Sequence, residues 1–134
     1  MNVIWVNGCF DVLHRGHIEL LKYAKSLGRH LVVGIDADWR IRKTKGQHRP
    51  FNNQEDRKFM LESIRYVDKV IVFETDSELR GLIHTLKPDV MIVGSDYKDK
   101  KVIGSEYAKS VEFFDRIGDY STTKILEREW EQIV

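Results

Sequence analysis

Near its amino terminus the chain reads Val3-Ile4-Trp5-Val6-Asn7-Gly8-Cys9-Phe10-Asp11-Val12-Leu13-His14-Arg15-Gly16-His17. The apolar residues 3–6 predict a buried strand that ends at Asn7, and the pattern after it predicts a helix that begins near Gly16. A glycine at the exit of a strand, here Gly8, lets backbone N–H groups approach a ligand closely. The start of a helix adds unpaired N–H groups and a partial positive charge. This stretch therefore predicts a strand–loop–helix unit that suits phosphate binding.

Further apolar runs repeat the strand pattern along the chain. Residues 31–35, 70–73 and 90–93 are the clear cases, and residues 111–114 form a weaker fifth candidate strand. Near-continuous apolar runs are typical of strands that are covered on both faces of a parallel sheet. Helical patterns fill the intervals, so strand and helix alternate. We therefore expect a single α/β domain over residues 1–134, with one doubly wound, Rossmann-like parallel five-stranded sheet in three α/β/α layers.

The predicted helices begin at capping residues and bury one apolar side. Asn52 or Asn53 caps the second helix, Asp76 or Ser77 opens the third, and Ser121 caps a final one. The residues expected to face the core are Ile18, Leu20, Leu21, Ala24 and Leu27 in the first helix, Phe59, Met60, Leu61 and Ile64 in the second, Leu79, Leu82, Ile83 and Leu86 in the third, and Ile125, Leu126 and Trp130 in the last.

The two longest irregular stretches are predicted at residues 37–51 and 94–104. Both follow a strand, so both should lie at the carboxyl edge of the sheet. Ligands bind outside that edge in open parallel sheets.

The overall composition is that of an ordinary globular protein. The 134 residues are 42% apolar and 32% charged, and the net charge of +1 argues against a broad nucleic-acid-binding face. Cys9 is the only cysteine, which excludes an internal disulfide and favours a reducing compartment. The chain has neither the features of a signal peptide nor an apolar run of the roughly 20 residues that a membrane helix needs. We expect a cytoplasmic protein with no nucleic-acid partner and no membrane association.

His14 and His17 lie three residues apart at the predicted helix start, so that both side chains can point to the same side. Two imidazoles there can donate hydrogen bonds to phosphoryl oxygens, and nucleotidyl transfer needs positioned donors and charge neutralisation rather than a covalent intermediate. A plain surface role and a metal pair are the alternatives, although no third ligand is spaced convincingly nearby. The glycine pattern of a dinucleotide site is absent. From these residues alone, phosphate binding and a structural role both stay open.

The stretch Gly8-Cys9-Phe10-Asp11-x-x-His14-x-Gly16-His17 resembles the signature of the cytidylyltransferase-like nucleotidyltransferases, and Ser121-Thr122-Thr123-Lys124-Ile125 resembles their second nucleotide-binding motif. Two subfamilies are similar over nearly the whole chain. Glycerol-3-phosphate cytidylyltransferases share Arg65-Tyr66-Val67-Asp68. The adenylyltransferase domain of the bifunctional bacterial enzyme that makes ADP-heptose is similar in more places, which include Lys45-Gly46-x-x-Arg49-Pro50, Pro88-Asp89, Gly94-x-Asp96-Tyr97 and Ile103-Gly104-Ser105. Its sugar-kinase half has no counterpart here, so we expect a stand-alone transferase domain.

The resemblance implies a role for each matching residue. His14 and His17 would hold the α- and β-phosphates of a nucleoside triphosphate, and Lys45 would contact the transferred phosphate. Nucleotide-binding roles would fall to Gly8, Cys9, Phe10, Asp11, Gly16, Gly94, Asp96, Tyr97, Ser121, Thr122 and Thr123. Simpler interpretations stand beside three of these: core packing for Phe10, packing for Cys9, and acceptance of backbone N–H bonds for Asp11.

Asp38, Arg57 and Arg65 are the candidates for binding the acceptor. Asp38 follows the second strand, and its carboxylate could bind hydroxyl groups. Arg57 and Arg65 are both expected on the second helix, and guanidinium suits phosphate oxygens. Surface salt bridges are the alternative for the two arginines.

The implied reaction is transfer of a nucleoside monophosphate, with AMP from ATP as the first choice, to a phosphorylated sugar such as a heptose 1-phosphate, with release of pyrophosphate. The alternative substrates are CTP and the phosphorylated polyol glycerol 3-phosphate, and the alternative from another class is a nucleotide sensor without catalysis. Mg²⁺ is the implied cofactor, because metal ions generally bridge the phosphates in such transfers. A homodimer is implied by analogy with the family alone.

Overall fold

The computed structural model contains a five-stranded parallel sheet in the order β3-β2-β1-β4-β5. It describes residues 2–95, 100–115 and 125–126. The strands are β1 (Val3–Gly8), β2 (His30–Asp36), β3 (Lys69–Phe73), β4 (Val90–Gly94) and β5 (Ser110–Phe114). The helices are α1 (Arg15–Ser26), α2 (Asp38–Lys45), α3 (Gln54–Glu62) and α4 (Asp76–Leu86), with a short 3₁₀ helix at Ser105–Tyr107. All five predicted strands are confirmed, including the weaker fifth one.

The sheet is doubly wound. The chain runs outward from β1 to β2 and β3, then returns across the sheet to β4 on the other side of β1. On one face, Leu21 of α1 and Leu61 of α3 pack in a core with Ile4 of β1. On the other face, Ile83 of α4 packs in a second core with Trp5. Alternate residues of β1 thus enter two different cores, which confirms the predicted fold class.

A close contact between β1 and β2 supports the strand that leads into the site. Trp5 is fully buried, and its indole N–H donates to Oδ1 of Asn7 at 3.0 Å. A Cβ at Gly34 would lie 2.5 Å from the Trp5 ring, so only glycine fits beside the indole. The packing of the core thereby fixes Asn7 at the carboxyl end of β1.

The prediction of an irregular stretch over residues 37–51 is wrong, because α2 occupies Asp38–Lys45. Ile41 is the one buried residue of this helix, and Trp39 remains 43% exposed. A helix that buries one side chain carries no apolar stripe, and such a stripe is the signal by which sequence reveals a helix. Gly46, with φ of 105°, follows the last helical residue.

The predicted core face of the second helix, which is α3, is also partly wrong. Leu61 is buried, whereas Phe59 is 69% exposed and Met60 is 51% exposed. Arg57 and Leu61 form the buried side of α3, and their spacing of four places Phe59 half a turn away from the core.

Two helix caps can be compared with their predictions. Asn53 caps α3, and its Oδ1 accepts the backbone N–H of Asp56 at 2.8 Å. Helix α4 opens at Asp76, as predicted, and Thr75 is its capping residue. In the last predicted helix, residues 125–126 are helical, while Ser121 and Trp130 lie outside the described residues. Within the part of the chain that the structure describes, the helices are too short or too polar to cross a membrane.

Candidate functional site

A cavity of about 630 Å³ opens at the carboxyl edge of the sheet. It lies where β1 and β4 adjoin, the point from which the chain winds in opposite directions and where doubly wound sheets bind ligands. The structure brings together in its wall seven of the predicted site residues, which are Gly8, Cys9, Phe10, Asp11, His17, Lys45 and Gly94. Residues 101–103 close the side next to β4.

The two histidines cap the amino end of α1 as a reciprocal pair. Nδ1 of His14 accepts the backbone N–H of Gly16 at 3.0 Å. Nδ1 of His17 accepts the backbone N–H of His14 at 3.2 Å, and the two rings stack with centroids 3.8 Å apart. Since each Nδ1 accepts a hydrogen bond, each neutral ring carries its proton on Nε2. The helix start therefore fixes two imidazoles as Nε2–H donors.

His17 is neutral at physiological pH. Burial lowers the pKa of His17 to about 3, and electrostatic interactions with His14 and Lys45 act in the same direction. A neutral imidazole can donate a hydrogen bond to a phosphoryl oxygen, but it adds no positive charge. The positively charged side chains in the wall of this cavity are therefore those of lysine and arginine.

Phe10 takes part in both the core and the cavity. It is 5% exposed within the core that contains α1 and α3, and its ring lies 5.2 Å from that of His17. Its backbone φ of 49° is in the left-handed region, which costs a residue with a side chain roughly 1–2 kcal/mol. A Cβ at Gly8 would approach the Phe10 ring to 3.1 Å. Phe10 thus packs beneath the loop and supports His17 from the core side.

Asp11 accepts backbone N–H bonds, as the sequence indicates, but it does so from a distant segment. The N–H groups of Phe51 and Asn52 donate to its two carboxylate oxygens at 2.7 and 2.8 Å. Nε of Arg49 also lies 3.2 Å from Oδ2. Asp11 therefore joins the loop after β1 to the segment that precedes α3.

The side chain of Cys9 favours the protonated thiol over the thiolate, which is the nucleophilic form. Burial raises the pKa of the Cys9 thiol, and the negative charge of Asp36 raises it further. Its Sγ lies 3.7 Å from Oδ2 of Asp36. Nucleotidyl transfer requires no thiolate, and the protonated thiol agrees with a packing role in the wall.

Arg57 does not reach the cavity, so the prediction that it binds the acceptor is corrected. The residue is 1% exposed, and four hydrogen bonds engage its guanidinium. The acceptors are the backbone oxygens of Cys9 at 2.9 Å, Asp36 at 2.8 Å and Asn52 at 3.0 Å, and the carboxylate of Asp38 at 2.7 Å. Arg57 ties together the loop after β1, the end of β2 and the start of α3.

Asp38 is also placed differently from its prediction. Its carboxylate is paired with Arg57, and the residue lines a separate cleft of about 410 Å³ beside Trp39 and Glu74. The carboxylate from this region that lines the larger cavity is that of Asp36.

Arg65 lies at the opposite edge of the sheet, and its predicted place on the second helix is wrong, whereas its role in binding the acceptor stays a prediction. Helix α3 ends at Glu62, and Arg65 lies in the connection that leads into the amino end of β3. It is exposed, and its guanidinium donates to the Tyr66 hydroxyl at 2.9 Å. Within this chain Arg65 is remote from the cavity.

Sequence reasoning missed four charged residues of the cavity wall, which are Asp36, Arg40, Arg49 and Lys101. Arg40 bonds Asp36 at 3.0 Å and Asp76 at 2.8 Å, and lies 5.1 Å over the Phe73 ring. Asp36 could have been found as the last residue of β2, and Arg49 as part of the motif that contains Lys45. The partners of Arg40, Asp36 and Asp76, lie on β2 and α4, so its place in the wall depends on tertiary contacts. The predicted residues Asp96, Tyr97, Ser121, Thr122 and Thr123 lie outside the described residues.

A parallel α/β sheet with imidazole donors and a lysine where its winding reverses is an arrangement suited to phosphorylated ligands. The chain belongs to the cytidylyltransferase-like family, whose sequence profile matches residues 5–129.

The similar curated proteins include the bifunctional protein HldE of two bacteria. The chain is 45% identical over 126 residues to the protein of Campylobacter fetus subsp. fetus (strain 82-40), and 47% identical over 126 residues to that of Helicobacter acinonychis (strain Sheeba). Each alignment covers 94% of this chain and 27% of the relative. The chain thus spans about a quarter of the length of these relatives.

Solved structures share the fold. A lipopolysaccharide core biosynthesis protein from Thermoplasma volcanium GSS1 has a TM-score of 0.68 at 27% identity, over 90% of this chain and 99% of that one. A pantothenate synthetase from Thermus thermophilus has a TM-score of 0.66 at 14% identity, over 93% of this chain and 61% of that one. The second likeness concerns the fold alone.

Proposed function

We propose that this chain is a nucleotidyltransferase that transfers AMP from ATP to a phosphorylated sugar such as a heptose 1-phosphate and releases pyrophosphate. The observation that carries the proposal is the stacked pair His14 and His17, whose Nε2–H donors lie at the start of α1 beside a cavity that Lys45 also lines. Membership of the cytidylyltransferase-like family and the similarity to HldE support it.

In the proposed reaction an oxygen of the acceptor phosphate attacks the α-phosphorus of the nucleotide. A new P–O bond forms, the bond from the α-phosphorus to the bridging oxygen breaks, and pyrophosphate leaves with the electron pair. His14 and His17 donate hydrogen bonds to phosphoryl oxygens as charge grows on them, and Lys45 neutralises part of that charge. The positive end of the α1 dipole adds to this field.

We propose that Mg²⁺ is the cofactor and that the triphosphate carries it into the site. Mg²⁺ usually binds through one or two carboxylates together with substrate phosphates. The carboxylates of the cavity wall, Asp11 and Asp36, each already contact an arginine, and residues 2–95, 100–115 and 125–126 contain no cluster of three or more potential metal ligands. When bound, the ion would neutralise phosphate charge. Chelation by EDTA should abolish turnover, and added Mg²⁺ should restore it.

A pyrophosphate-release assay with ATP and CTP, each against heptose 1-phosphate and glycerol 3-phosphate, tests the proposal. We expect the highest kcat/KM for ATP with the sugar phosphate. A preference for CTP with glycerol 3-phosphate would replace the adenylyl assignment by the cytidylyl alternative. Nucleotide binding without turnover on a broad acceptor panel would support a sensor instead.

We further propose that residues 1–134 act as one domain, in the cytoplasm and as a homodimer. A nucleoside triphosphate donor favours the cytoplasm. Three large apolar side chains at or just before α3 favour self-association, since Phe51 is 66%, Phe59 69% and Met60 51% exposed. Sedimentation equilibrium tests this last point: a dimer that becomes monomeric in F59E supports it, and a wild-type monomer at high concentration contradicts it.

A further inference from the structure

We propose that Asp36 binds sugar hydroxyl groups of a reactant, either the acceptor sugar or the ribose of the nucleotide, in the cavity at the carboxyl edge of the sheet. The inference deepens the proposed function and rests on it for the identity of the reactants. Asp36 is the last residue of β2, and its side chain is 20% exposed in the wall that also contains His17 and Lys45. The sequence predicts hydroxyl binding for Asp38, but the structure pairs Asp38 with Arg57 beside a separate cleft.

The carboxylate of Asp36 is held in a fixed position. The residue pairs with Phe73 in the sheet, and its backbone oxygen accepts a hydrogen bond from Nη1 of Arg57 at 2.8 Å. Oδ1 of the carboxylate accepts a hydrogen bond from Nε of Arg40 at 3.0 Å. A ligand that binds Asp36 therefore meets an acceptor whose position is set before binding, and this preorganisation lowers the entropic cost of the contact.

The other carboxylate oxygen, Oδ2, retains capacity for further hydrogen bonds. Its partner in the described part of the chain is the thiol of Cys9, whose Sγ lies 3.7 Å away. A thiol is a weak donor, and an ionised carboxylate offers about four acceptor sites on its two oxygens. Because Asp36 and Cys9 both line the cavity, a ligand hydroxyl there can donate to the carboxylate.

The negative charge of Asp36 indicates which part of a reactant it contacts. A carboxylate repels phosphate groups, since the two carry charges of the same sign. It attracts hydroxyl groups, because they donate hydrogen bonds and such bonds are stronger when the acceptor is charged. An acidic residue binds ribose hydroxyls in this way in doubly wound dinucleotide-binding sheets. A sugar hydroxyl thus suits Asp36, whereas the phosphates suit His17 and Lys45.

A purely structural interpretation would make Asp36 only a counter-ion of Arg40. Arg40 offers a matched control, because its second carboxylate partner, Asp76, lies 2.8 Å from its Nη2 at the start of α4 and is absent from the described cavity wall. D36A and D76A each remove one partner of Arg40. A change in ligand binding that both variants show belongs to Arg40, and a change that D36A alone shows belongs to a contact made by Asp36.

The experiment measures the KM for ATP and for heptose 1-phosphate in wild type, D36A, D36N and D76A. If Asp36 acted through its charge alone, its loss would lower both KM values, because both reactants are anions. We expect the opposite for one reactant, whose KM should rise by roughly 10- to 100-fold in D36A, the scale of a hydrogen bond to a charged group. D76A should keep both KM values close to those of wild type. Unchanged or lower KM values in D36A, or an equal rise in D76A, would overturn the inference.

Deoxy analogues identify the sugar. Monodeoxy forms of heptose 1-phosphate test the acceptor, and 2′-deoxy-ATP and 3′-deoxy-ATP test the ribose. In wild type, loss of the contacted hydroxyl should raise the KM about as much as D36A does, and the same analogue should lose little more in D36A, because both changes remove one contact. Fully additive losses for every analogue would contradict the inference. If D36A does not fold, D36N decides: a higher KM for one reactant supports the inference, and unchanged or lower values contradict it.

Calorimetry in EDTA, which removes Mg²⁺, keeps this inference separate from the proposed function. It compares heptose 1-phosphate with inorganic phosphate, and ATP with 2′,3′-dideoxy-ATP. Affinity weaker by about tenfold or more in D36A for one hydroxyl-bearing ligand, without loss for its hydroxyl-free counterpart, supports the role of Asp36. If wild type then turns over no nucleotide, the reaction is rejected and the sugar site is retained. Undiminished binding of both hydroxyl-bearing ligands by D36A, an equal loss for the counterparts, or no binding of either ligand by wild type would overturn the inference, whatever the turnover.

Discussion

The two walls of the cavity are built in different ways. In the wall after β1, the histidine pair is held by hydrogen bonds between residues two and three positions apart, His14 with Gly16 and His14 with His17. In the facing wall, which runs from the end of β2 to the start of α3, the defining bonds join residues far apart in sequence. Arg57 reaches Cys9 across 48 positions, and Asp11 reaches Phe51 across 40.

Because the two walls are held by different kinds of contact, we expect them to contribute differently to activity and to stability. The donors of the first wall are preorganised by the start of one helix, which costs little reorganisation when a ligand binds. The second wall supplies Lys45, Arg40 and Arg49, and its position depends on contacts made through Arg57 and Asp11. We therefore expect substitutions in the first wall to affect chemistry with little loss of stability, and substitutions of the anchors in the second to affect stability first.

The largest effect is expected for Arg57→Met. This variant removes four hydrogen bonds and leaves the Asp38 carboxylate without its ion-pair partner. Loss of one partner from a buried ion pair typically costs about 3–5 kcal/mol, so the free energy of unfolding in urea should fall by about that amount. Arg65→Met is the matched control, because Arg65 is exposed, and its unfolding free energy should change by less than about 1 kcal/mol. Equal stability of the two variants would contradict the anchoring role of Arg57.

The same contrast explains how far the sequence predicts the molecule. The strands and the histidine pair follow from patterns within ten or so residues, and the sequence predicts both. Helix α2 escapes prediction because it buries only Ile41, and Arg57 is misplaced because its partners come from three other segments. An arginine on a helix looks the same in sequence whether it faces solvent or four buried acceptors. Tertiary contacts decide between those cases.

For the first wall, His14→Ala and His17→Ala should each lower kcat by roughly 10²–10³, the scale for losing one preorganised donor. The measurement is steady-state pyrophosphate release at saturating nucleotide and acceptor. His30→Ala serves as the control, since His30 is exposed at the amino end of β2, and it should keep the wild-type kcat. If both site variants turn over at near wild-type rates, the histidines have no part in the reaction and the first wall is structural.

Gly34→Ala tests whether the core beneath the first wall, where Gly34 packs against the Trp5 ring, is rigid. The added methyl would approach the Trp5 ring to 2.5 Å, and overpacking of this kind costs about 1–3 kcal/mol. A drop of that size should appear in urea unfolding. Gly81→Ala is a matched control on the exposed side of α4, where a Cβ meets nothing within 4 Å, and it should be neutral or slightly stabilising. An unchanged stability of Gly34→Ala would mean that the indole moves aside, and hence that Asn7 is held less firmly than the wall requires.

The smallest expected effect is on the pH dependence of the free energy of unfolding, to which His17 contributes. Its pKa falls from 6.5 to about 3 on folding, so below pH 6.5 the unfolded chain binds a proton that the folded protein does not. This contribution to stability is therefore complete above pH 6.5 and is lost progressively as the pH falls toward 3, with a slope that approaches about 1.4 kcal/mol per pH unit. Between pH 6.5 and 5 it is separable from Asp68 and Asp89, because hydrogen bonds to Leu31 and Val3 and to nearby lysines hold the pKa of both carboxyls below 3.8. Urea unfolding of wild type and His17→Gln across this range measures the difference. A weaker dependence of the unfolding free energy on pH in the variant would show that the folded protein keeps His17 neutral and buried in the first wall. The same dependence in both proteins would show that His17 takes up its proton in the folded protein, so that the first wall supplies positive charge.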